Sequence, residues 1–437
     1  MSSDSRGWSR WYVVGLLAVL YVFSYADRLI LALLVTPLKA DLGLSDTQIA
    51  LLIGPAFAFL YAILGIPVAW LADRFPRVII AVGGVAIWSA ATIASAFAGS
   101  FEELFILRMG LALGEAVLSP VAVSLISDMF HRSERSTPTA VFVSSGTIGL
   151  ITAYVIGGAL IDLLDSGALA GVPIIGGLPV WRATLIVVGA PGLLLAILLA
   201  FTVREPERGV LDRQSATAQS DKTGVFESWR EALHFYVAFF LGNSICMTLT
   251  FAVVAWFPTF LTRAYGVSAS ESGYLFGFCL MVGAFFNFSI PTVAQRLARG
   301  TRKEALLLVE LALIPVGLVL FVAGVLQDSL TATMAFVIAG FGILSGTNAL
   351  SSIAVALTAP PFFRGRLMAI SLACSNLIGL SLGPFAVARV AETQFSGPFA
   401  LAQAMLVVGL VVVPLAWVLI FVALVPYRRA MRRAEEE

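Results

Sequence analysis

Apolar residues run along this chain in long stretches, separated by short clusters of arginine, aspartate, proline and glycine. A helix that crosses a bilayer needs about 20 predominantly apolar residues. By that measure the pattern predicts twelve spans, near 11–35, 46–71, 78–98, 104–128, 139–163, 181–202, 233–260, 273–297, 304–326, 330–357, 365–392 and 398–425. The runs show no alternation of period two, which excludes a β-barrel. Glycine and proline interrupt them, as membrane helices tolerate. No cleavable signal pattern precedes the first run, so span 1 is expected to stay in the protein. The expected fold is all-α and integral to the membrane.

Composition agrees with the pattern. Of 437 residues, 59% are hydrophobic and 12% charged, and the mean hydropathy is +0.96. A soluble domain carries roughly a quarter charged residues, so a cytosolic enzyme, a disordered chain and a disulfide scaffold are excluded. With 27 basic and 26 acidic residues the formal charge is +1, and no nucleic acid is expected as a partner. Cys246, Cys279 and Cys374 sit in apolar runs without metal-ligand spacing, and there are two histidines. No metal, cofactor or catalytic triad is therefore expected.

Basic residues set the orientation. Twenty-one fall in the terminal segments and loops on the side of the N-terminus, against Lys39, Arg182 and Arg263 opposite. The positive-inside rule then places both termini in the cytoplasm, as expected for a bacterial inner membrane. Arg28, Arg108 and Arg389 fall inside spans.

The longest polar stretch divides the chain into an expected six-helix bundle at 1–202, a cytoplasmic linker at 203–232 and a second bundle at 233–437. Within and just beyond the linker, Gly224 to Phe235 alternates bulky apolar and charged residues at helical spacing. That suits a helix lying on the inner membrane surface and a plain tether equally. The halves echo each other: Ala72-Asp73-Arg74-Phe75-Pro76-Arg77 recurs as Ala294-Gln295-Arg296-Leu297-Ala298-Arg299, an offset of 222 residues. Two parallel six-span repeats joined by a cytoplasmic loop describe a rocker-type secondary transporter.

Four charges stand within the first half of the membrane domain: Asp27 and Arg28 in span 1, Arg108 and Glu115 in span 4. Each costs about 2.5–3.5 kcal/mol at a helix centre on insertion scales, so they must face a cavity or one another. Arg108 and Glu115 lie seven apart and share one helix face. Depth along the helices favours the pairs Asp27–Arg108 and Arg28–Glu115. Such a set serves either as a neutral structural network or as a site for a proton and an anion. Gly110 and Gly114 offer a small-residue surface for a neighbouring helix. At the inner mouth, Asp73, Arg74 and Arg77 form a candidate cytoplasmic gate, with topology signalling as the plainer reading. Tyr25, Asn243, Trp256, Asn348 and Asn376 are candidates for cavity lining, although each asparagine also fits a helix-to-helix bridge. Aromatic residues of spans 7 and 8, among them Trp256, Phe276, Phe285 and Phe288, offer an apolar surface for a lipid tail.

These residues carry a resemblance to the major facilitator superfamily over the whole chain. Ala69-Trp70-Leu71-Ala72-Asp73-Arg74-Phe75-Pro76-Arg77 is similar to its signature loop, with Ala69 and Pro76 standing where glycine is usual. Within the superfamily, the chain resembles spinster-type transporters. The matching pieces are Tyr25-Ala26-Asp27-Arg28, Gly114-Glu115-Ala116 with Ser127-Asp128-Met129-Phe130, Ala255-Trp256-Phe257-Pro258, and Asn376-Leu377-Ile378-Gly379 with Gly383-Pro384. Ser24 replaces an asparagine common in that group. The resemblance implies alternating access by a monomer, lipid-like substrates such as sphingoid phosphates or lysophospholipids, and proton-linked or facilitated transport. It also implies that Asp27, Arg28, Arg108 and Glu115 couple and gate, and that Asp73, Arg74 and Arg77 close the inner side. An organic-anion branch with a similar first and fourth helix would imply sugar acids and small carboxylates instead. No HExxH, GxSxG or Cys–His pattern suggests an enzyme.

Overall fold

A computed structural model describes residues 3–208, 229–300, 304–360 and 363–436. Twelve helices among them are long and apolar enough to cross a membrane. Spans 1 to 6 are Arg10–Ala32, Asp46–Leu64, Arg77–Ser95, Phe101–Met129, Ser136–Asp165 and Val180–Thr202. Spans 7 to 12 are Arg230–Tyr265, Ala269–Leu297, Ala305–Val325, Leu330–Thr358, Arg364–Gln394 and Ala400–Met431. The protein is thus an all-helical, multi-pass membrane protein. Residues 209–228, most of the linker and the first part of the stretch expected on the inner membrane surface, lie outside the described residues. From Trp229 onward that stretch belongs to the long helix of span 7, Trp229–Tyr265.

The chain forms two compact units. The first comprises Met1–Ser220 with Ser268–Gly277, and the second comprises Asp221–Val267 with Phe278–Glu437. Within the first, span 1 packs on span 5, span 3 on spans 4 and 6, and span 2 on span 4. Within the second, span 7 packs on spans 11 and 12, and span 9 on spans 10 and 12.

Glycine decides how closely these helices approach. A Cβ added to Gly114 of span 4 would meet the Gly84 carbonyl oxygen at 2.5 Å and the Trp88 backbone nitrogen at 2.6 Å. Spans 3 and 4 therefore touch backbone to backbone, as small residues allow in membranes. Gly110, on the same small-residue surface, stands off: its added Cβ would meet Ala91 Cβ at an ordinary 3.6 Å. In the second unit Gly383 brings span 11 against span 7, where an added Cβ would lie 2.3 Å from the Thr248 carbonyl oxygen.

Besides span 2, which breaks at Gly54 just ahead of Pro55, two spans that read as uniform helices are interrupted. Span 4 consists of Phe101–Glu115 and Leu118–Met129. Span 11 passes through a wide π turn, Ser375–Leu380, between Arg364–Cys374 and Ser381–Gln394. Both irregularities have a proline four residues beyond them. Pro120 stands four after Ala116 and Pro384 four after Leu380, and a proline ring neither donates to nor tolerates the carbonyl at that position. The sequence pattern hides this, because hydropathy continues unchanged across each break. Glu115 and Asn376 both sit at these irregular points.

Gly114→Ala should lower the stability of the purified protein by about 1–3 kcal/mol, the usual cost of overpacking. Gly110→Ala should be neutral or slightly stabilising. Thermal melts of both variants in detergent check this, and equal losses would contradict the backbone contact at Gly114.

Candidate functional site

Span 1 brings Asp27 and Arg28 to the end of the helix Ser3–Leu29, just before a tight turn at Ile30–Ala32. Span 4 brings Arg108 along one face and Glu115 to the last residue before its break. Asp27, Arg108 and Glu115 are buried, Asp27 completely. The Arg28 side chain alone retains appreciable accessible surface, 16%.

Arg28 and Glu115 form the ion pair that depth along the helices suggests. Arg28 donates from Nε at 3.1 Å and from Nη2 at 2.5 Å, both to Glu115 Oε2. Glu115 Oε1 has no hydrogen-bond partner among the described residues. The other pair differs from expectation. Arg108 Nη1 donates to the backbone carbonyl of Asp27 at 3.2 Å, not to its carboxylate. Asp27 lies in the last turn of its helix, where carbonyls lack the usual partner, and Arg108 takes one of them. Both carboxylate oxygens of Asp27 are buried without a hydrogen-bond partner among the described residues. The first unit thus encloses two carboxyl groups whose remaining oxygens make no close hydrogen bond, with Thr92 and Trp88 as the polar groups beside Asp27 and Ser24 beside Glu115.

Aromatic rings surround Arg28. Its guanidinium carbon lies 4.1 Å from the Phe57 ring centre, 5.0 Å from Tyr25 and 5.6 Å from Tyr61. Desolvated contacts of this kind hold a cation by the ring quadrupole. Tyr25, expected as a cavity residue, is half-buried and forms part of this enclosure. Phe57 and Tyr61 were missed in the sequence, although their spacing of four puts them on one face of span 2. Gly149 lets span 5 close on the same place, since its added Cβ would meet Tyr25 Cβ at 2.9 Å.

The basic turn after span 2 builds a second centre in the first unit. Arg77 is buried and pairs with Asp128 at the end of span 4. It also meets Glu205 Oε1 at 2.7 Å, Ser124 Oγ at 3.0 Å and the Pro206 carbonyl at 3.1 Å. Glu205 Oε2 accepts the Val78 backbone N–H at 2.8 Å. Burial pushes the Glu205 carboxyl up, but the hydrogen bonds from Val78 and Arg77 outweigh it and hold it below the ordinary glutamate range. Arg208 donates to the carbonyls of Ala72 and Phe75 at 2.8 and 2.5 Å, closing the end of the helix Pro55–Arg74. Arg74 instead lies exposed, its guanidinium carbon 4.0 Å from the Trp70 ring centre. The Asp73 side chain lies outside the described residues. Glu205 and Arg208 fall in the expected linker, and their distance in sequence from the basic turn hides the cluster.

Two of the expected cavity residues belong to the packed interior of the second unit. Trp256 is fully buried and its indole N–H donates to the Pro384 carbonyl at 2.9 Å, so it pins span 7 to span 11. Asn243 is buried and bonds to Phe239 in its own helix and to Ser351 of span 10, as a bridge between helices. Phe276, expected on a tail surface, is fully buried as well, whereas Phe285 and Phe288 are exposed. Asn348 and Asn376 are half-buried, and the Asn348 amide donates to Leu344 of its own helix at 3.1 Å.

A family model described as "Major Facilitator Superfamily" matches residues 17–384. An MFS-type efflux pump of Mycolicibacterium smegmatis is 28% identical over 415 residues, covering 92% of this chain and 90% of that protein. Protein spinster homolog 1 of Xenopus tropicalis is 25% identical over 401 residues, covering 87% and 72%. A crystal structure of a bacterial homologue of the human lysosomal transporter spinster, in an inward-facing and occupied conformation, has a TM-score of 0.80 and 26% identity. It covers 97% of each chain.

The Arg77 cluster generates a prediction about pH. A carboxylate whose folded pKa is lowered adds stability that is complete above the unfolded value, about 4.3 for glutamate. That stability is lost as pH falls through the lowered folded value. Glu205→Gln should therefore lower the melting temperature at neutral pH, and its deficit should vanish on acidification below the ordinary glutamate range. A deficit that stays constant with pH in detergent melts would contradict the ionised pairing of Glu205.

Proposed function

The chain belongs to the Major Facilitator Superfamily, and we propose that it is a proton-coupled secondary transporter of an amphipathic, lipid-like anion such as a sphingoid phosphate or lysophospholipid. It is a transporter rather than an enzyme. The observation that carries the finer reading is the Arg28–Glu115 pair: an accessible guanidinium inside the membrane, held to one oxygen of a buried carboxylate.

In this reading the substrate's anionic head takes the Arg28 guanidinium, which suits phosphate or carboxylate through a planar fork. Glu115 then loses its cation inside the membrane. A bare carboxylate there is costly, and accepting a proton removes the charge. Binding of the anion and uptake of a proton thus become one event. Asp27, buried with only Thr92 and Trp88 as polar side chains beside its carboxyl, is the second group able to receive a proton, and Arg108 holds its backbone in place. The aromatic rings about Arg28 keep the guanidinium desolvated when Glu115 releases it.

The two halves, 1–202 and 233–437, act as the rocking bodies about the linker 203–232. Asp73, Arg74 and Arg77 serve as the cytoplasmic gate, with Arg77 braced by Asp128 and Glu205. Asn348 and Asn376, half-buried in the second unit, are its polar candidates for cavity lining. The protein works as a monomer in a bacterial cell membrane, with both termini cytoplasmic, as the asymmetry of basic residues supports.

Uptake into proteoliposomes tests this directly. A series of ligands with one anionic head and lengthening acyl tails should bind several-fold more tightly per two carbons, at about 0.8 kcal/mol per buried CH₂, until the cavity fills. An inward pH gradient should accelerate uptake by the wild type, and Glu115→Gln should abolish that acceleration. A flat chain-length series would overturn the lipid reading in favour of small organic anions, and undiminished acceleration in Glu115→Gln would remove Glu115 from the coupling.

A further inference from the structure

A third buried carboxyl lies in the second unit and has no part in the reading above. Glu310 of span 9 is buried. Its Oε1 lies 3.2 Å from Ser351 Oγ of span 10, and its Oε2 is buried with no partner among the described residues. Ser351 Oγ also contacts Asn243 Oδ1 of span 7, and Asn243 Nδ2 donates to the Phe239 carbonyl at 2.9 Å.

Counting protons along this chain fixes their positions. The Phe239 carbonyl only accepts, so the Asn243 amide nitrogen must face it and the Asn243 oxygen must face Ser351. That oxygen also only accepts, so Ser351 gives its single hydroxyl proton to Asn243. No proton then remains for the contact between Ser351 Oγ and Glu310 Oε1 unless Glu310 supplies it. A carboxylic acid donating to Ser351 gives every contact its hydrogen. An ionised carboxylate instead leaves two acceptors competing for one hydroxyl proton, and leaves a bare buried oxygen besides.

Among the described residues, no cation is in electrostatic contact with Glu310. Span 9 has Glu310 as its sole charged residue, and span 10 carries no titratable side chain. The titratable groups in electrostatic contact with Glu310 are the Cys246 thiol of span 7 and the Tyr427 phenol of span 12. Arg428, beside Tyr427, pairs with Glu304 at 3.4 Å.

We propose that Glu310 is a separate proton-binding site: a carboxylic acid whose proton completes the chain Glu310–Ser351–Asn243–Phe239 and ties span 9 to spans 7 and 10. Release of that proton to water leaves the Ser351 hydroxyl shared between Glu310 and Asn243 and loosens the tie. The site shares no residue with the Arg28–Glu115 pair, so it does not depend on their role in transport.

Infrared spectroscopy of the purified full-length protein tests this without a transport assay. The wild type should show a protonated-carboxyl stretch at neutral pH that is absent in Glu310→Gln and disappears on alkaline titration. The same band should persist in an Asp27→Asn/Glu115→Gln variant, and Ser351→Ala should shift it to higher frequency by removing its acceptor. The glutamine can still donate to Ser351, so the variant is expected to fold. Identical carboxyl spectra for the wild type and Glu310→Gln at all pH values would overturn the proposal. So would loss of the band in the Asp27→Asn/Glu115→Gln variant, or an unmoved band in Ser351→Ala.

Discussion

A guanidinium and a carboxylate inside a bilayer need each other, because either alone costs several kcal/mol and together they cost far less. Arg28 and Glu115 impose this constraint on the first unit, and much of its local structure can be traced to it. Glu115 reaches Arg28 from the end of a helix segment that breaks before Pro120. Gly114 lets that segment press against span 3. Phe57, Tyr61 and Tyr25 then fill the space around the arginine with rings. The pair is held by only one carboxylate oxygen, with the arginine partly accessible. That geometry can be exchanged for another anion more readily than a buried pair with two matched bonds.

The two units use buried polar groups differently. In the first, two centres balance charge with opposite charge, Arg28–Glu115 in the membrane and Arg77 with Asp128 and Glu205 beyond it, while Arg108 meets the Asp27 backbone. In the second, a lone carboxyl meets only neutral hydrogen-bonding groups, Ser351 and Asn243. A charge-balanced centre responds to an incoming ion, whereas a neutral chain responds to a proton alone. The second unit otherwise relies on close helix contact, with Gly383 against Thr248 and the Trp256 indole on the Pro384 carbonyl.

The twelve spans were legible because hydropathy integrates over twenty residues and tolerates local error. The Arg28–Glu115 pair was legible because depth along a helix follows from counting residues. The Arg108 contact was not, because counting side chains overlooks the free carbonyls at a helix end, and Asp27 offers one. The partners of Arg77 escaped for a different reason: Asp128 and Glu205 come from 51 and 128 residues away, and only the tertiary fold brings them together. Asn243 and Trp256 looked like cavity residues because polarity in an apolar run says that a partner exists without saying where it is. The partners are Ser351 and the Pro384 carbonyl, each over a hundred residues distant.

The proposed exchange of Glu115 for a substrate anion on Arg28 requires that a proton be taken up as the anion binds. Calorimetry of an anionic lysolipid binding to the purified protein, repeated in buffers of different ionisation enthalpy, measures that proton directly. The heats should differ between buffers in proportion to their ionisation enthalpies, giving net proton uptake on binding that Glu115→Gln removes. Heats identical in every buffer would show binding without a proton and contradict the exchange.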